Sequence, residues 1–248
     1  MDIPRIFTIS ESEHRIHNPF TSEKYATLGH VLCMKPDTRI LDLGSGSGEM
    51  LCTWARDYAI TGIGIDMSQL FSEQAKLRAE ELGVSNRVHF FHNDATGYIA
   101  QEKCDVAACV GATWIAGGFS GTIELLAKSL KPGGIILIGE PYWRQLPATE
   151  EIAKACGATS LTDFLSLPEL ISTFDKLGYD VVEMVLADQE GWDRYEAAKW
   201  MTMHRWLKIN PNDDFAKEIR TELTVAPKRH VTYTREYFGW GVFALIAR

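Results

Sequence analysis

An acidic residue followed by alternating glycines marks the stretch RILDLGSGSGEM, residues 39–50. The apolar run meets Asp42, and the loop residues after it are Gly44, Ser45, Gly46 and Gly48. The dinucleotide-binding pattern G-x-G-x-x-G would require a third glycine where this sequence has Glu49. A carboxylate at this point also repels phosphate and suits a ligand with a positive charge. The spacing therefore favours a ligand with a positive end over one that presents a pyrophosphate, while a plain strand-to-helix turn is the alternative that the loop alone leaves open.

The elements that would position this loop alternate between strand and helix from residue 38 onward. Strand patterns occur at RILDLG, ITGIGID, RVHFFHND, CDVAACVGA and IILIGE, with weaker ones at DVVEMVLAD and YFGWGVFALIAR. Helical spacing of apolar residues separates them, as in EMLCTWARDY and TIELLAKSL. This alternation predicts an α/β fold with a parallel sheet and crossover helices.

Four motifs in register resemble those of class I S-adenosylmethionine-dependent methyltransferases. LDLGSGSGEM is similar to the family's first motif, GIGIDMS to its second strand with an acidic end, HNDAT to the adenine-contacting motif, and KPGGIILIGEPYW to the entry into the fifth strand. GWGVFALIAR fits the final strand, and the flanking stretches resemble the small-molecule branch. The resemblance implies a Rossmann-like, doubly wound, mostly parallel seven-stranded sheet with an antiparallel last strand, plus a helical N-terminal segment and a helical insertion.

At the methionine end of the cofactor, the resemblance assigns roles to the glycine loop and to the end of the fourth strand. Gly44, Ser45, Gly46 and Gly48 would let the backbone pass under S-adenosyl-L-methionine, where a Cβ would clash with it. Asp42 would face the amino group of the cofactor. Val110 and Gly111 would offer backbone carbonyls to the same ammonium.

At the adenosine end, the resemblance implies four further cofactor residues. Asp66 would accept hydrogen bonds from both ribose hydroxyls, and Met67 would pack on the adenine face. Asp94 would accept from the exocyclic amine, while the Ala95 N–H would serve a ring nitrogen. The product would be S-adenosyl-L-homocysteine, and no metal is implied.

The acceptor site is expected beyond the carboxyl ends of the strands. Trp114, Tyr142 and Trp143 follow the fourth and fifth strands and are candidates for its walls. Methyl transfer is a direct displacement that needs a general base only if the acceptor is protonated. His17, Glu140 and Tyr142 are weak candidates for that base, and the catalytic residue stays unassigned.

The chain is expected to be one methyltransferase domain over residues 1–248. Residues 1–37 would be an N-terminal segment or lid, helical from about Ser22, and residues 38–187 the cofactor-binding core. Residues 188–230 would be a helical insertion and residues 231–248 the final strand. The insertion contains the aromatic residues Trp192, Tyr195, Trp200 and Trp206. They predict a helix that buries one face, and the functional alternative is that they cover the acceptor site.

Composition limits the classes of partner. The net charge is −8 and the basic residues form no cluster beyond PKRH at 227–230, so nucleic acid is not an expected partner. No apolar run approaches the roughly 18 residues needed to span a bilayer, and MDIPRIFTIS lacks the pattern of a secretory signal. The five cysteines form no C-x-x-C pair, which favours free thiols in the cytoplasm.

The sequence thus predicts an S-adenosylmethionine-dependent methyltransferase that acts on a soluble small molecule. Two alternatives stay open: a non-catalytic module that binds the same cofactor, and an NAD-linked oxidoreductase. The acceptor molecule, the acceptor atom, the need for a base and the oligomeric state are left open by the sequence.

Overall fold

The computed structural model describes residues 3–248, and seven strands in this part of the chain form one sheet. The strands are β1 (Arg39–Leu43), β2 (Thr61–Asp66), β3 (Val88–His92), β4 (Cys104–Val110), β5 (Leu130–Trp143), β6 (Tyr179–Leu186) and β7 (Phe238–Ala247). Their order is β3-β2-β1-β4-β5-β7-β6, and β7 runs antiparallel to both its neighbours. The predicted sheet is confirmed, including its antiparallel last strand.

The helices of the described residues cover both faces of the sheet. They are α1 (Arg5–Glu11), α2 (Ser22–Val31), α3 (Glu49–Tyr58), α4 (Gln69–Glu81), α5 (Phe119–Ala127), α6 (Glu150–Ala155), α7 (Leu167–Lys176), α8 (Gln189–Ile209), α9 (Ala216–Arg229) and α10 (Arg235–Tyr237). A 3₁₀ turn spans Thr113–Ala116, and a π-helical turn spans His230–Thr234. The helix predicted from Ser22 and the helical insertion are present, whereas α1 and α6 were not predicted.

Side chains that alternate along the strands build two cores. Ile40 of β1 and Leu137 of β5 are buried under α2, α3 and α4, while Leu41 and Ile138 are buried on the other face under α5 and α7. Because both faces of the parallel strands are covered, β1 reads as an almost continuous apolar run. Each fully buried side chain of this size contributes roughly 1.5–3 kcal/mol to folding.

The strand order creates a crevice at one edge of the sheet. β1 pairs with β2 on one side and with β4 on the other, so the chain connections leave β1 in opposite directions. Ligands of such sheets bind where the order reverses, beyond the carboxyl ends of the strands. The loop after β1 and the turn after β4 meet at this point.

Two further features of the described residues concern the helices and the cysteines. No helix in residues 3–248 is both long and apolar enough to cross a membrane. All five cysteines are free thiols, and four of them are buried; the exposed one is Cys33.

Candidate functional site

The glycine loop after β1 requires glycine because of its backbone and its protein neighbours. Gly44 and Gly46 have φ angles of +80° and +53°, which L side chains rarely adopt. A Cβ at Gly44 would lie 2.5 Å from the Cβ of Ala112, and one at Gly46 would lie 2.6 Å from the Cδ2 of His17. Gly48 packs toward Phe90 in the core. The sequence explained these glycines by a clash with the cofactor, whereas the structure shows clashes with the protein itself.

Asp66, at the end of β2, fixes the glycine loop in place. Its Oδ2 accepts a hydrogen bond of 2.8 Å from the Gly46 N–H, and its Oδ1 accepts one of 2.8 Å from the Ser68 N–H. Burial raises the pKa of Asp66 above its usual value, and the two backbone donors oppose this rise. The carboxylate therefore joins the loop after β1 to the start of α4 and keeps lone pairs for a ligand.

Asp42 is a buried carboxyl group without a cation. It is 3% exposed, and its Oδ1 has no hydrogen-bond partner among the described residues. Burial and the nearby charge of Asp66 raise its pKa to about 7. A buried ionised carboxylate is costly unless it is paired, so this position is prepared for a cationic group.

Asp42→Asn should stabilise the protein in the absence of ligand. The carboxyl pKa is about 3.8 in the unfolded chain and about 7 in the folded one, so the folded state holds the proton more tightly. The contribution of Asp42 to the free energy of unfolding therefore falls as the pH rises from about 4 to about 7, and this decrease is absent in Asp42→Asn. We expect a gain of about 1–3 kcal/mol in the free energy of unfolding near pH 8 that vanishes near pH 4.

Urea unfolding at several pH values would measure this gain. Asp214→Asn is the matched control, because Asp214 is exposed and the substitution makes the same change of side chain at the surface. An Asp42→Asn variant that is less stable than the wild type near pH 8 would contradict the unpaired carboxylate.

A cavity of about 330 Å³ lies over the glycine loop and the ends of β2, β3 and β4. It brings together most of the residues that the sequence proposed for the cofactor, namely Gly44, Gly46, Asp66, Met67, Asp94, Ala95, Val110 and Gly111. Asp42 and Ser45 line a narrow crevice that shares Gly44, Gly46 and Val110 with this cavity. Gly48 lines neither space.

Asp94 and Trp114 line this first cavity and are both exposed to solvent. Asp94 is exposed and accepts a hydrogen bond of 2.8 Å from the Thr96 N–H, which holds the pKa of Asp94 below its usual value. Trp114 is 50% exposed and lines the same cavity. The sequence proposed Trp114 for the acceptor pocket, whereas in the structure it lines the first cavity together with Gly44 and Gly46.

A second cavity of about 580 Å³ adjoins the first, and both are lined by Phe7, His17 and Gly111. It lies between α1, α8 and α9 on one side and the ends of β5 and β7 on the other. Besides Phe7, its wall contains six aromatic residues, namely Phe164, Trp192, Tyr195, Trp200, Phe238 and Trp240. The sequence named Trp192, Tyr195 and Trp200 of the insertion as a possible cover of the acceptor site, but it did not name Phe164, Phe238 or Trp240.

His17 sits at the junction of the two cavities with both ring nitrogens engaged. Gln74 Nε2 donates to the Ser12 carbonyl (2.7 Å), so Gln74 Oε1 faces Ser47 and accepts from its hydroxyl (2.7 Å). The Ser47 oxygen is then an acceptor for His17 Nε2 at 2.8 Å. His17 Nδ1 lies 3.2 Å from Oε2 of the buried Glu11 carboxylate. Both ring nitrogens of His17 are thus engaged with protein groups, so the side chain ties the N-terminal segment to the glycine loop.

Three residues proposed for catalysis or the acceptor pocket lie elsewhere. Tyr142 is 4% exposed in the core under α5 and α7, and Trp143 is 1% exposed with its indole N–H donating to the Leu161 carbonyl. Glu140 lines neither cavity; burial raises its pKa to about 7, opposed by a hydrogen bond with Thr113. The physical reason is that β5 continues to Trp143 and pairs there with β7, which buries these side chains.

Comparisons with known proteins agree with this geometry. Residues 40–134 match the family profile of a methyltransferase domain. The uncharacterized Escherichia coli protein YjhP is 82% identical over the whole of both chains, and its X-ray structure superposes with a TM-score of 0.97 over 99% of this chain and 100% of that one.

Two solved relatives are described as methyltransferases. The SAM-dependent methyltransferase of Geobacter sulfurreducens, solved with S-adenosyl-L-homocysteine, is 71% identical over 100% of this chain and 99% of its own, with a TM-score of 0.98. That of Thiobacillus denitrificans, solved with the same compound, is 68% identical over 100% of both chains, also with a TM-score of 0.98. The chain belongs to the class I S-adenosylmethionine-dependent methyltransferase family.

Proposed function

We propose that this protein binds S-adenosyl-L-methionine in the first cavity and transfers its methyl group to a soluble small molecule in the second. The observation that carries the proposal is the junction of the two cavities at Phe7, His17 and Gly111. A methyl donor on one side of this junction and an acceptor on the other would meet in line. The helical cover over the second cavity suits a small molecule better than a polymer.

The residues present fit the cofactor. Asp42 is an unpaired buried carboxyl group, and the ammonium of the cofactor would supply its missing cation. The carbonyls of Val110 and Gly111 would share this ammonium. Asp66 retains lone pairs for the ribose hydroxyls. The two relatives that are about 70% identical were solved with the demethylated product, which supports this assignment.

At the adenine end, three residues of the same cavity would hold the base. Met67 would pack on the adenine face, and Asp94 would accept from its exocyclic amine. The Ala95 N–H would donate to a ring nitrogen. No group of three or more His, Cys, Asp or Glu side chains within residues 3–248 is arranged to hold a metal ion.

In the proposed mechanism the protein positions the acceptor and the cofactor and excludes water, and proton transfer is secondary. When bound, the cofactor supplies an electrophilic methyl group on a sulfonium. The aromatic wall of the second cavity would hold the acceptor beside Gly111 and keep water out, and such positioning can account for several kcal/mol of a barrier. His17 would act as a positioning residue, because its hydrogen bonds fasten the N-terminal segment to the glycine loop.

The organisation of the chain fits this proposal. Residues 1–37 would form a lid over both cavities, residues 38–187 would bind the cofactor, residues 188–230 would enclose the acceptor and residues 231–248 would complete the sheet. The five free thiols support a reducing compartment, which we take to be the cytoplasm. The chain's −8 charge argues against nucleic acid as the acceptor.

Calorimetric titration with S-adenosyl-L-homocysteine tests the cofactor assignment, and it should depend on pH. Only the ionised form of Asp42 pairs with an ammonium, and the pKa of Asp42 is about 7. We therefore expect binding about tenfold weaker near pH 6 than near pH 7.5. Asp42→Asn should weaken binding at both pH values and remove the difference.

The outcomes separate the proposal from its alternatives. Binding of NADH and not of S-adenosyl-L-homocysteine would contradict the proposal. Cofactor binding without release of S-adenosyl-L-homocysteine over a broad panel of acceptors would favour the non-catalytic module. Saturable binding with turnover of one acceptor would establish the transferase.

A further inference from the structure

One tryptophan at the first cavity has no partner within the described protein. Trp114 lies in the 3₁₀ turn after β4, lines the cavity and is 50% exposed. Within residues 3–248 its ring makes no hydrogen bond, aromatic contact or cation contact, whereas each of the other six tryptophans makes at least one; they are Trp54, Trp143, Trp192, Trp200, Trp206 and Trp240. A large exposed apolar side chain that lines a cavity is typical of a ligand-binding surface.

The backbone that carries Trp114 is nevertheless fixed. The Thr122 hydroxyl donates a hydrogen bond of 2.7 Å to the Thr113 carbonyl. Ile115 is 5% exposed and belongs to the same core cluster as Ala95, which lies in the loop after β3. The turn therefore presents the indole at a defined place beside the cavity, while the ring itself is free to settle against a ligand.

The other rings that line the first cavity are already packed against each other. The ring centroid of His17 lies 4.1 Å from that of Phe71, and Phe7 meets Phe71 edge-on with centroids 6.2 Å apart. His17 is also held through both ring nitrogens. Among the residues that the structure describes, Trp114 is thus the aromatic side chain of this cavity that is free to stack on a ligand.

The neighbours of Trp114 indicate which part of the ligand its ring would meet. Met67, Asp94 and Ala95 line the same cavity and are the residues proposed for the adenine. A purine base has two flat faces, and Met67 would cover only one of them. Aromatic side chains stack favourably on bases and tolerate small changes of position, so the second face suits the indole.

We propose that Trp114 is a cofactor-binding residue, whose indole covers the adenine of the bound cofactor on the face that Met67 leaves open. This inference rests on the proposed function and moves Trp114 from the acceptor pocket to the cofactor site. The indole shields the cofactor from water at the open side of the cavity. Because the methyl donor and the demethylated product share the adenine, the contact strengthens the binding of both by the same factor.

Acrylamide quenching of tryptophan fluorescence tests where the ring lies in the wild-type protein. Trp114 is the exposed tryptophan of residues 3–248, because Trp200 and Trp206 are half-buried and the other four are at most 8% exposed. Saturation with S-adenosyl-L-homocysteine should therefore reduce the quenching. This reduction should be absent in Trp114→Phe, which keeps a ring for stacking but lacks the fluorophore.

Calorimetric titration of variants measures the contribution of the ring to affinity. Trp114→Ala should weaken S-adenosyl-L-homocysteine about tenfold, and S-adenosyl-L-methionine by the same factor, whereas Trp114→Phe should stay within about threefold of the wild type. Phe91→Ala is the matched control, because Phe91 of β3 is 51% exposed and does not line the cavity. Its affinity should equal that of the wild type.

The outcomes separate this inference from the proposed function. Wild-type protein that does not bind S-adenosyl-L-homocysteine would contradict the proposed function. If the wild type binds it, unchanged affinity in Trp114→Ala, or quenching that the ligand does not reduce, would overturn the inference. A much larger loss for S-adenosyl-L-methionine than for S-adenosyl-L-homocysteine would place the ring beside the sulfonium and would overturn it as well.

Discussion

Asp66→Ala should weaken the binding of S-adenosyl-L-homocysteine by at least about 100-fold. Two contacts from the carboxylate to the ribose would be lost, and each hydrogen bond to a charged group contributes about 1.5–3 kcal/mol. The variant also loses the acceptors of the Gly46 and Ser68 N–H groups, so the glycine loop is released from the start of α4. Both changes weaken binding in the same direction. Isothermal titration calorimetry at neutral pH would measure the loss.

Loss of binding in Asp66→Ala should not reflect loss of the fold. Burial raises the pKa of Asp66, so the charged group is not a large source of stability in the free protein. The two N–H groups that lose their acceptor cost about 1–3 kcal/mol each, so the melting temperature should fall by about 2–4 °C for each kcal/mol lost and the protein should stay folded at 25 °C. Asp57→Ala on the exposed face of α3 is the matched control and should bind normally. Full affinity for S-adenosyl-L-homocysteine in Asp66→Ala would contradict the proposal that Asp66 binds the ribose hydroxyls.

The sheet and most residues that line the first cavity were predictable, because the sequence patterns that indicate them are local. Each strand of the parallel core is a short apolar run, and the polar residue that ends it enters the crevice directly. Asp66 illustrates this, since it ends β2 and lines the first cavity, and Asp42, one residue before the end of β1, lines the adjoining crevice. When a strand is predicted correctly, the motif at its end is also placed correctly, and this does not depend on distant parts of the chain.

The second cavity was not predictable in the same way, because distant segments of the chain build it. α1 follows Pro4, which provides no side-chain cap, and its apolar residues make sense only against α8 and α9. There Ile9 packs with Met203 and Ile219. Nothing within residues 5–11 indicates these partners, so the helix and the cavity that it closes were missed.

The error at Tyr142 and Trp143 arose from the end of one strand. The sequence ended the fifth strand at Glu140, which would place the next residues in a loop over the acceptor. In the structure β5 pairs with β7 as far as Trp143 opposite Phe238. The antiparallel partner comes from the end of the chain, so the extra length of β5 is a tertiary effect that local patterns do not contain.

One buried carboxylate connects the N-terminal segment to the rest of the molecule. Glu11, the last residue of α1, is 0% exposed. It accepts a hydrogen bond of 2.7 Å from the Tyr195 hydroxyl, lies 3.2 Å from His17 Nδ1 and is 3.6 Å from Lys199 Nζ. Burial alone would raise the pKa of Glu11, but the hydrogen bond with His17 and the charge of Lys199 outweigh it and lower the pKa. The carboxylate is thus ionised. It links α1 to α8 through Tyr195 and to the glycine loop through His17, which contacts Ser47.

Glu11→Ala should lower the free energy of unfolding by about 3–5 kcal/mol at neutral pH, because it leaves the Tyr195 hydroxyl and His17 Nδ1 without their buried partner and removes one of the two carboxylates beside Lys199. Since the folded pKa is depressed, this contribution is complete above the unfolded value of 4.5 and is lost as the pH falls through the folded pKa. Urea unfolding of both proteins would measure it. Glu13→Ala is the matched control two residues away, because Glu13 forms only an exposed ion pair with Arg205 and should change stability by less than about 1 kcal/mol. Equal effects of the two substitutions would show that Glu11 does not hold the N-terminal segment over the two cavities.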